Sequence, residues 1–217
     1  MSRSPIAITI YSDVVCPWCY VGKRRFELAL QGPDMPEVSN PVWRPFELNP
    51  DMPADGMERQ AYRAAKFGSE RSAELDRTMS QTGEEVGIRF AFSDMKRTPN
   101  TRLAHRLIWE AGRQGAQNAV VNRLFEAYFE EARDIGEASV LREIGKEAGL
   151  EAAAIKSALS EPESEQAVVQ LVTDGYKMGI QGVPFFILAQ KYGVSGAQPP
   201  EMWRDALPRI AAEAGAQ

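Results

Sequence analysis

"SDVVCPWCYVG", Ser12 to Gly22, holds both cysteines of the chain, Cys16 and Cys19, with only Pro17 and Trp18 between them. Two cysteines scattered at random would show this spacing in roughly one case in a hundred. Three chemistries compete for such a pair: half of a metal site, a redox dithiol, or two inert buried thiols. The residues before it, "IAITIYSD" (Ile6–Asp13), alternate apolar with small or polar side chains and are rich in β-branched residues, which predicts a strand. The residues after it place Tyr20, Val21, Phe26, Leu28 and Leu30 at helical spacing until Gly32-Pro33 stops them. Pro17 suits a first helical position, where its missing N–H would have been unpaired anyway.

That placement separates the three chemistries. A structural zinc needs four ligands, usually Cys or His, and the chain adds only one His, His105, far away in sequence. Inert thiols are common in cores. Cys16, however, falls where the strand ends and the helix starts. Unpaired N–H groups and the positive end of the helix dipole favour a thiolate there, which is the nucleophilic form. Cys19 lies one turn on, so the two sulfurs can close into a disulfide and reopen through a mixed disulfide.

"VWRPFELNP" (Val42–Pro50) reads as a second strand. The first fifty residues are therefore β–α–β, with parallel strands. From about Met57 to Met178 the pattern is almost all helical, with helices expected near 57–66, 69–86, 101–114, 117–132, 137–148, 150–160 and 162–178. Strands return in "VPFFILAQ" (Val183–Gln190) and "KYGVSGA" (Lys191–Ala197), a short hairpin. "PPEMWRDALPRIAAEAG" then opens a helix that Pro208 is expected to end or kink. The fold class is α/β, with residues 1–55 and 179–217 in one domain and residues 56–178 as an all-helical insertion.

The 217 residues are 44% hydrophobic, enough for full cores, and the net charge of −5 argues against nucleic acid as the main partner. The apolar run after Arg3 is short and broken by Thr9 and Ser12–Asp13, so no secretory signal is expected, and no window reaches the length of a membrane span. The expected compartment is the cytoplasm, where a structural disulfide is out of place and a transient one is not.

"CPWC" after a strand and opening a helix resembles the thioredoxin fold. Four patches resemble the DsbA-like thiol–disulfide oxidoreductases: "YSDVVCPWCYVGKRRFE", "RPFELNPDMP", "NTRLAHRL" and "GIQGVPFFIL…GVSGAQPPE". The branch is the FrnE-like one, related to the 2-hydroxychromene-2-carboxylate isomerases and kappa-class glutathione transferases. The resemblance implies a thioredoxin-like fold interrupted by a helical domain. It implies Cys16 as the attacking thiol, Cys19 as the resolving thiol and Pro184 as the cis-proline facing them. The backbone of Val183 would then pair with an extended substrate strand.

In the isomerase and transferase relatives the first cysteine position is commonly serine; two cysteines here favour redox chemistry. Some FrnE-like proteins carry a second pair in a C-terminal extension, and no further cysteine occurs before Gln217. Trp18 stands where periplasmic DsbA has His, so a less strongly oxidising protein is expected.

Other candidates are weaker. His105 sits at the edge of an apolar helical stripe, where a packed histidine is the default and a place in the cleft facing "CPWC" the functional alternative. Asn49 ends the second strand at the sheet edge shared with Cys16, so it contacts a bound peptide or glutathione, or is a turn residue before Pro50. Ser195 and Gly196 match loosely the region where glutathione-binding relatives hold the γ-glutamyl group, but "SGAQ" lacks the expected acidic residue. Lys23 could hold an anion near Cys16 or belong to a solvated face. Asn100 is a helix cap. Trp18 and Trp43 are candidates for the cleft wall, Trp109 and Trp203 for the core.

Three functions follow. The first is a disulfide oxidoreductase acting on a protein or small molecule, with no bound cofactor and no metal, and with glutathione as a candidate reductant or cosubstrate. The second is a glutathione-dependent isomerase or transferase in which Cys19 is dispensable. The third is a redox-sensing partner protein. A homodimer, as in the kappa-type relatives, is compatible with the acidic surface.

Overall fold

The computed structural model describes residues 4–214; the ends of the expected domains at residues 1–3 and 215–217 lie outside them. A four-stranded sheet runs in the order β2-β1-β5-β6, formed by β1 (Ile8–Ser12), β2 (Val42–Pro45), β5 (Phe185–Leu188) and β6 (Tyr192–Ser195). β1 and β2 are parallel, with Ile10 opposite Trp43 and Ser12 opposite Pro45. β5 is antiparallel to β1 and hairpins to β6, Phe185 opposite Ser195. A parallel pair needs a crossover, and α1 (Pro17–Leu30) supplies it.

Between β2 and β5 lie α2 (Arg59–Phe67), α3 (Ser69–Glu84), α4 (Arg102–Gly112), α5 (Gln117–Phe129), α6 (Ala138–Glu147), α7 (Ala152–Ser160) and α8 (Pro162–Lys177). The chain is thus an α/β thioredoxin-type fold with a helical insertion, as expected. α4 is the hub of the insertion, packed against α5, α7 and α8. Its buried stripe is Ala104, Leu107, Ile108 and Ala111.

One core runs through both parts. Tyr20 of α1 stacks on Phe125 of α5 at 5.0 Å and on Phe129 at 6.1 Å, so the helix carrying the dithiol is pinned to the insertion. On its other side Phe26 packs edge-on to Trp203 of α9 (Pro200–Ala214) at 5.0 Å, and Trp203 meets Phe186 of β5 at 4.8 Å. Trp203 is fully buried, as expected.

The fold departs from the sequence pattern in three places. Met57–Glu58 is not the start of a helix but β3, paired with β4 (Arg97–Thr98). A Glu58 carboxylate cap starts α2 instead, accepting from the N–H groups of Gln60 and Ala61. β2 stops at Pro45, so Phe46–Pro50 is a loop. α9 runs through Pro208 rather than ending there. Trp203, Leu207 and Ile210 are buried on both sides of the proline, and burying them offsets the lost backbone bond.

Candidate active site

β1 ends at Ser12, the chain turns through Asp13–Val15, and Cys16 is the N-cap of α1 with Pro17 in its first turn. The Cys16 N–H donates to the Asp13 carbonyl at 3.0 Å, and the Cys16 carbonyl accepts from the Cys19 N–H at 3.0 Å. Both cysteines are free thiols, with Cys16 5% and Cys19 1% exposed. Burial, then a hydrogen bond with Cys16 and its charge, push the Cys19 thiol well up. Cys16 is thus the outer sulfur of the pair and Cys19 the inner one.

The loop before β5 closes on Cys16. Its Sγ lies 3.8 Å from the Val183 carbonyl oxygen, and the Val183–Pro184 peptide bond is cis. Gly22 makes the approach of this loop possible. A Cβ there would meet Pro184 Cγ at 2.9 Å and Ala197 Cα at 3.3 Å. The Pro184 carbonyl accepts from the Gly196 N–H at 2.8 Å, and Arg25 donates to the Ala197 carbonyl at 2.8 Å. Gly196 therefore supports the Pro184 loop through its backbone, at φ +82°, a region that favours glycine. Ser195 is exposed at the end of β6.

Beside Pro17 opens a pocket of about 120 Å³. Val15 and Pro17 form one wall, Asn49 another, and α2 contributes Tyr62, Lys66 and Phe67. The Lys66 ammonium donates to Asn49 Oδ1 at 2.8 Å and to Tyr62 Oη at 2.7 Å, and Tyr62 Oη donates to the same Asn49 oxygen. Among the described residues Lys66 pairs with no carboxylate, whereas Arg59 and Arg63 of the same pocket share Asp76. The pocket is thus aromatic, with one uncommitted positive charge. Asn49 also closes a turn, its carbonyl accepting from the Met52 N–H.

Other candidates lie elsewhere. His105 is 3% exposed, its Nε2 3.1 Å from the Phe46 carbonyl and 3.4 Å from Asp13 Oδ1. It does not line the pocket beside Pro17; it sits behind the dithiol, facing a buried carboxylate whose other oxygen accepts from the Leu48 N–H at 2.8 Å. Trp43 is buried, its Nε1 donating to Asn118, and lines a small internal cavity with His105 and half-buried Trp109 rather than the cleft. Trp18 is 42% exposed at the dithiol. Lys23 is not on a solvated face: it is buried against Glu27 at 2.5 Å, and burial lowers its pKa. Asn100 Oδ1 accepts from the Arg102 N–H, the first residue of α4. No three His, Cys, Asp or Glu side chains converge as a metal set among the described residues.

Sequence reading missed Asp13, Gly22, Tyr62 and Lys66. A signal existed for the first two: a polar pair closing an apolar strand, and a glycine inside a helix. Tyr62 and Lys66 carry none, being four apart on a polar helix.

Residues 7–208 match the DSBA-like thioredoxin domain. The chain belongs to the DsbA-like thioredoxin-domain family. It is 32% identical to SCO1869 of Streptomyces coelicolor, described as a probable DsbA oxidoreductase, over 96% of this chain and 91% of that one, with a TM-score of 0.85. It is 30% identical over 203 residues to the uncharacterized YwbO of Bacillus subtilis (strain 168), covering 93% of this chain and 96% of that one. The cytosolic disulfide reductase DsbM of Pseudomonas aeruginosa, in a structure with glutathione, shares the fold at 19% identity and a TM-score of 0.62, over 94% of this chain and 98% of that one. Membership of this family and the adjacent Cys16 and Cys19 support thiol–disulfide oxidoreductase chemistry in general. No described helix is long and apolar enough to cross a membrane.

Proposed function

We propose that the protein exchanges disulfides through its CPWC dithiol, with Cys16 attacking and Cys19 resolving. The observation that carries this is the 3.8 Å approach of Cys16 Sγ to the Val183 carbonyl. In the first step the Cys16 thiolate attacks a substrate disulfide, forming a mixed disulfide and expelling one substrate thiolate, which takes up a proton. Cys19 then loses its proton and attacks the Cys16 sulfur. The internal disulfide closes and the second substrate thiol leaves. The enzyme is oxidised by two electrons and the substrate is reduced; the reverse order oxidises a substrate dithiol. The Val183 backbone holds an extended substrate strand against Cys16, and Pro184 sets that edge. Trp18 forms the exposed rim.

The Asn49–Tyr62–Lys66 pocket favours substrates with a carboxylate close to the disulfide, glutathione among them, as reductant or cosubstrate. The reading divides the chain into a thioredoxin-like domain of residues 1–55 and 179–217 and a helical insertion of residues 56–178, and places it in the cytoplasm.

The test is reduction of a protein disulfide such as insulin from a glutathione or dithiothreitol pool. Wild type is expected to turn over, Cys16→Ser to be inert, and Cys19→Ser to accumulate a mixed disulfide at Cys16. Absence of turnover in wild type, with retained glutathione-dependent isomerisation in Cys19→Ser, would replace this reading with the isomerase one.

A further inference from the structure

The helical insertion has a hollow of its own that the dithiol chemistry does not use. It lies between α6 and α7 and encloses about 280 Å³, near the lower end of the range for small-molecule sites, about 300–1,000 Å³. The sequence builds it from residues spaced one helical turn apart. Arg142 and Lys146 stand on one face of α6, and Lys156 and Ser160 on one face of α7. Ile155 and Leu159, also one turn apart, form an apolar floor, and Ile155 is buried. Gly145 lets the two helices meet: a Cβ there would stand 2.8 Å from Ile155 Cγ1. The cations themselves are exposed, so the hollow is open to a ligand from solvent.

Three cations and no carboxylate line this hollow. In a chain of net charge −5 that is a local reversal of sign. The carboxylates of α6 are engaged elsewhere: Glu143 pairs with Arg133, and Glu147 with Arg123 and Arg133. Arg142, Lys146 and Lys156 pair with no carboxylate among the described residues. One unpaired surface cation is ordinary, and Lys146 also suits the negative end of α6, whose last turn it occupies. Three like charges around one apolar floor are different. They repel one another, and a bound anion relieves that repulsion. The charge selects an anionic head, and the floor selects an apolar body. We propose that the hollow between α6 and α7 binds a small amphiphilic anion, an oxyanion head on a short aliphatic or aromatic body. The head lies among Arg142, Lys146 and Lys156, where the Arg142 fork can meet two oxygens at once. The body covers Ile155 and Leu159. No residue of this hollow lines the pocket beside Pro17 or the dithiol, so the inference stands apart from the disulfide reading.

The test titrates octanoate into the isotope-labelled whole protein and follows the amide NMR spectrum. Saturable shifts are expected in α6 and α7. Acetate lacks the apolar body and octanol lacks the charge, so each is expected to bind there at least about tenfold more weakly. Added salt is expected to weaken octanoate as well. Lys156→Glu is expected to weaken octanoate about tenfold, and Arg142→Gln several-fold, both at the wild-type melting temperature. Lys66→Ala, in the other pocket, is expected to leave the α6 and α7 shifts unchanged. Octanol binding as tightly as octanoate would reduce the hollow to an apolar patch, and acetate binding as tightly would reduce it to a bare anion contact; either overturns the proposal. So would shifts that never saturate in α6 and α7, or that survive Lys156→Glu and Arg142→Gln undiminished.

Discussion

Gly22 and Pro184 touch across the site in a way that only glycine allows: a Cβ on Gly22 would stand 2.9 Å from Pro184 Cγ. The ring atom cannot swing aside as a flexible side-chain end would. Ala197 Cα, at 3.3 Å, closes the other escape. The helix carrying the cysteines and the loop carrying Val183 are therefore spaced by the absence of a side chain.

Gly22→Ala sets two effects against each other. Alanine is better in a helix interior by about 1 kcal/mol. Overpacking costs about 1–3 kcal/mol. The clash is with a ring and a backbone, so overpacking is expected to win. The expected result is a lower melting temperature and a several-fold drop in insulin reduction. A variant more stable than wild type with full activity would show that the loop moves freely.

Alkylation is expected to be ordered. Cys16 is the outer sulfur and a helix N-cap, while Cys19 is almost sealed and its thiol pushed up. A limiting dose of iodoacetamide at neutral pH, read by peptide mass spectrometry, should label Cys16 alone. The Cys16→Ser protein should stay unlabelled until it is unfolded. Equal labelling of both positions would contradict the buried placement of Cys19.

Lys66→Ala should act through binding of charged substrates. Its ammonium is held by Asn49 and Tyr62 and by no carboxylate among the described residues. With glutathione disulfide the expected change is a KM raised about tenfold at unchanged kcat, because the variant cannot make the charge-assisted hydrogen bond to the substrate carboxylate. With a neutral small disulfide KM should not move. A rise for both substrates would assign Lys66 to the pocket's structure rather than to recognition.

Trp203 offers a stability test with two levels. It is fully buried between Phe26 and Phe186, and its Nε1 has no partner among the described residues. Trp203→Ala should cost about 3–5 kcal/mol. Trp203→Phe keeps the ring packing and removes an unpaired N–H, so it should cost about 1 kcal/mol or less. Urea unfolding midpoints decide it; equal losses would show that indole volume alone sets the cost.

Acid should loosen one surface network. Arg123 holds Glu126, Glu131 and Glu147, and Arg133 holds Glu131, Glu143 and Glu147. The Arg123 hydrogen bonds keep Glu131 and Glu147 below the usual carboxylate range. Their folded-state pKa values are depressed, so the contribution is complete above the ordinary glutamate value of about 4.3 and is lost as pH falls below it through the folded values. Exposed pairs contribute about 1 kcal/mol or less each. Arg123→Gln should therefore flatten the acid limb of the stability curve and leave less dependence on salt.

Much of this was legible in the chain itself. Alternation in Ile6–Asp13, helical spacing after Pro17 and the return of strands at Val183 are local patterns. They set β1, α1 and the β5–β6 hairpin, because backbone geometry imposes its period on the side chains that face the core. The same locality placed both cysteines at a helix N-terminus, and it foresaw the helical insertion. Pro208 shows where local rules stop: its backbone penalty is fixed by its ring, but Trp203, Leu207 and Ile210 are buried around it by partners far along the chain. Tertiary structure alone decided the rest. His105 meets Phe46 across 59 residues, Leu48 meets Asp13 across 35, and Lys66 finds Asn49 across 17. Such pairings join segments whose sequences carry no mark of each other. They follow from how the insertion packs against the sheet, and that is a property of buried shape rather than of period.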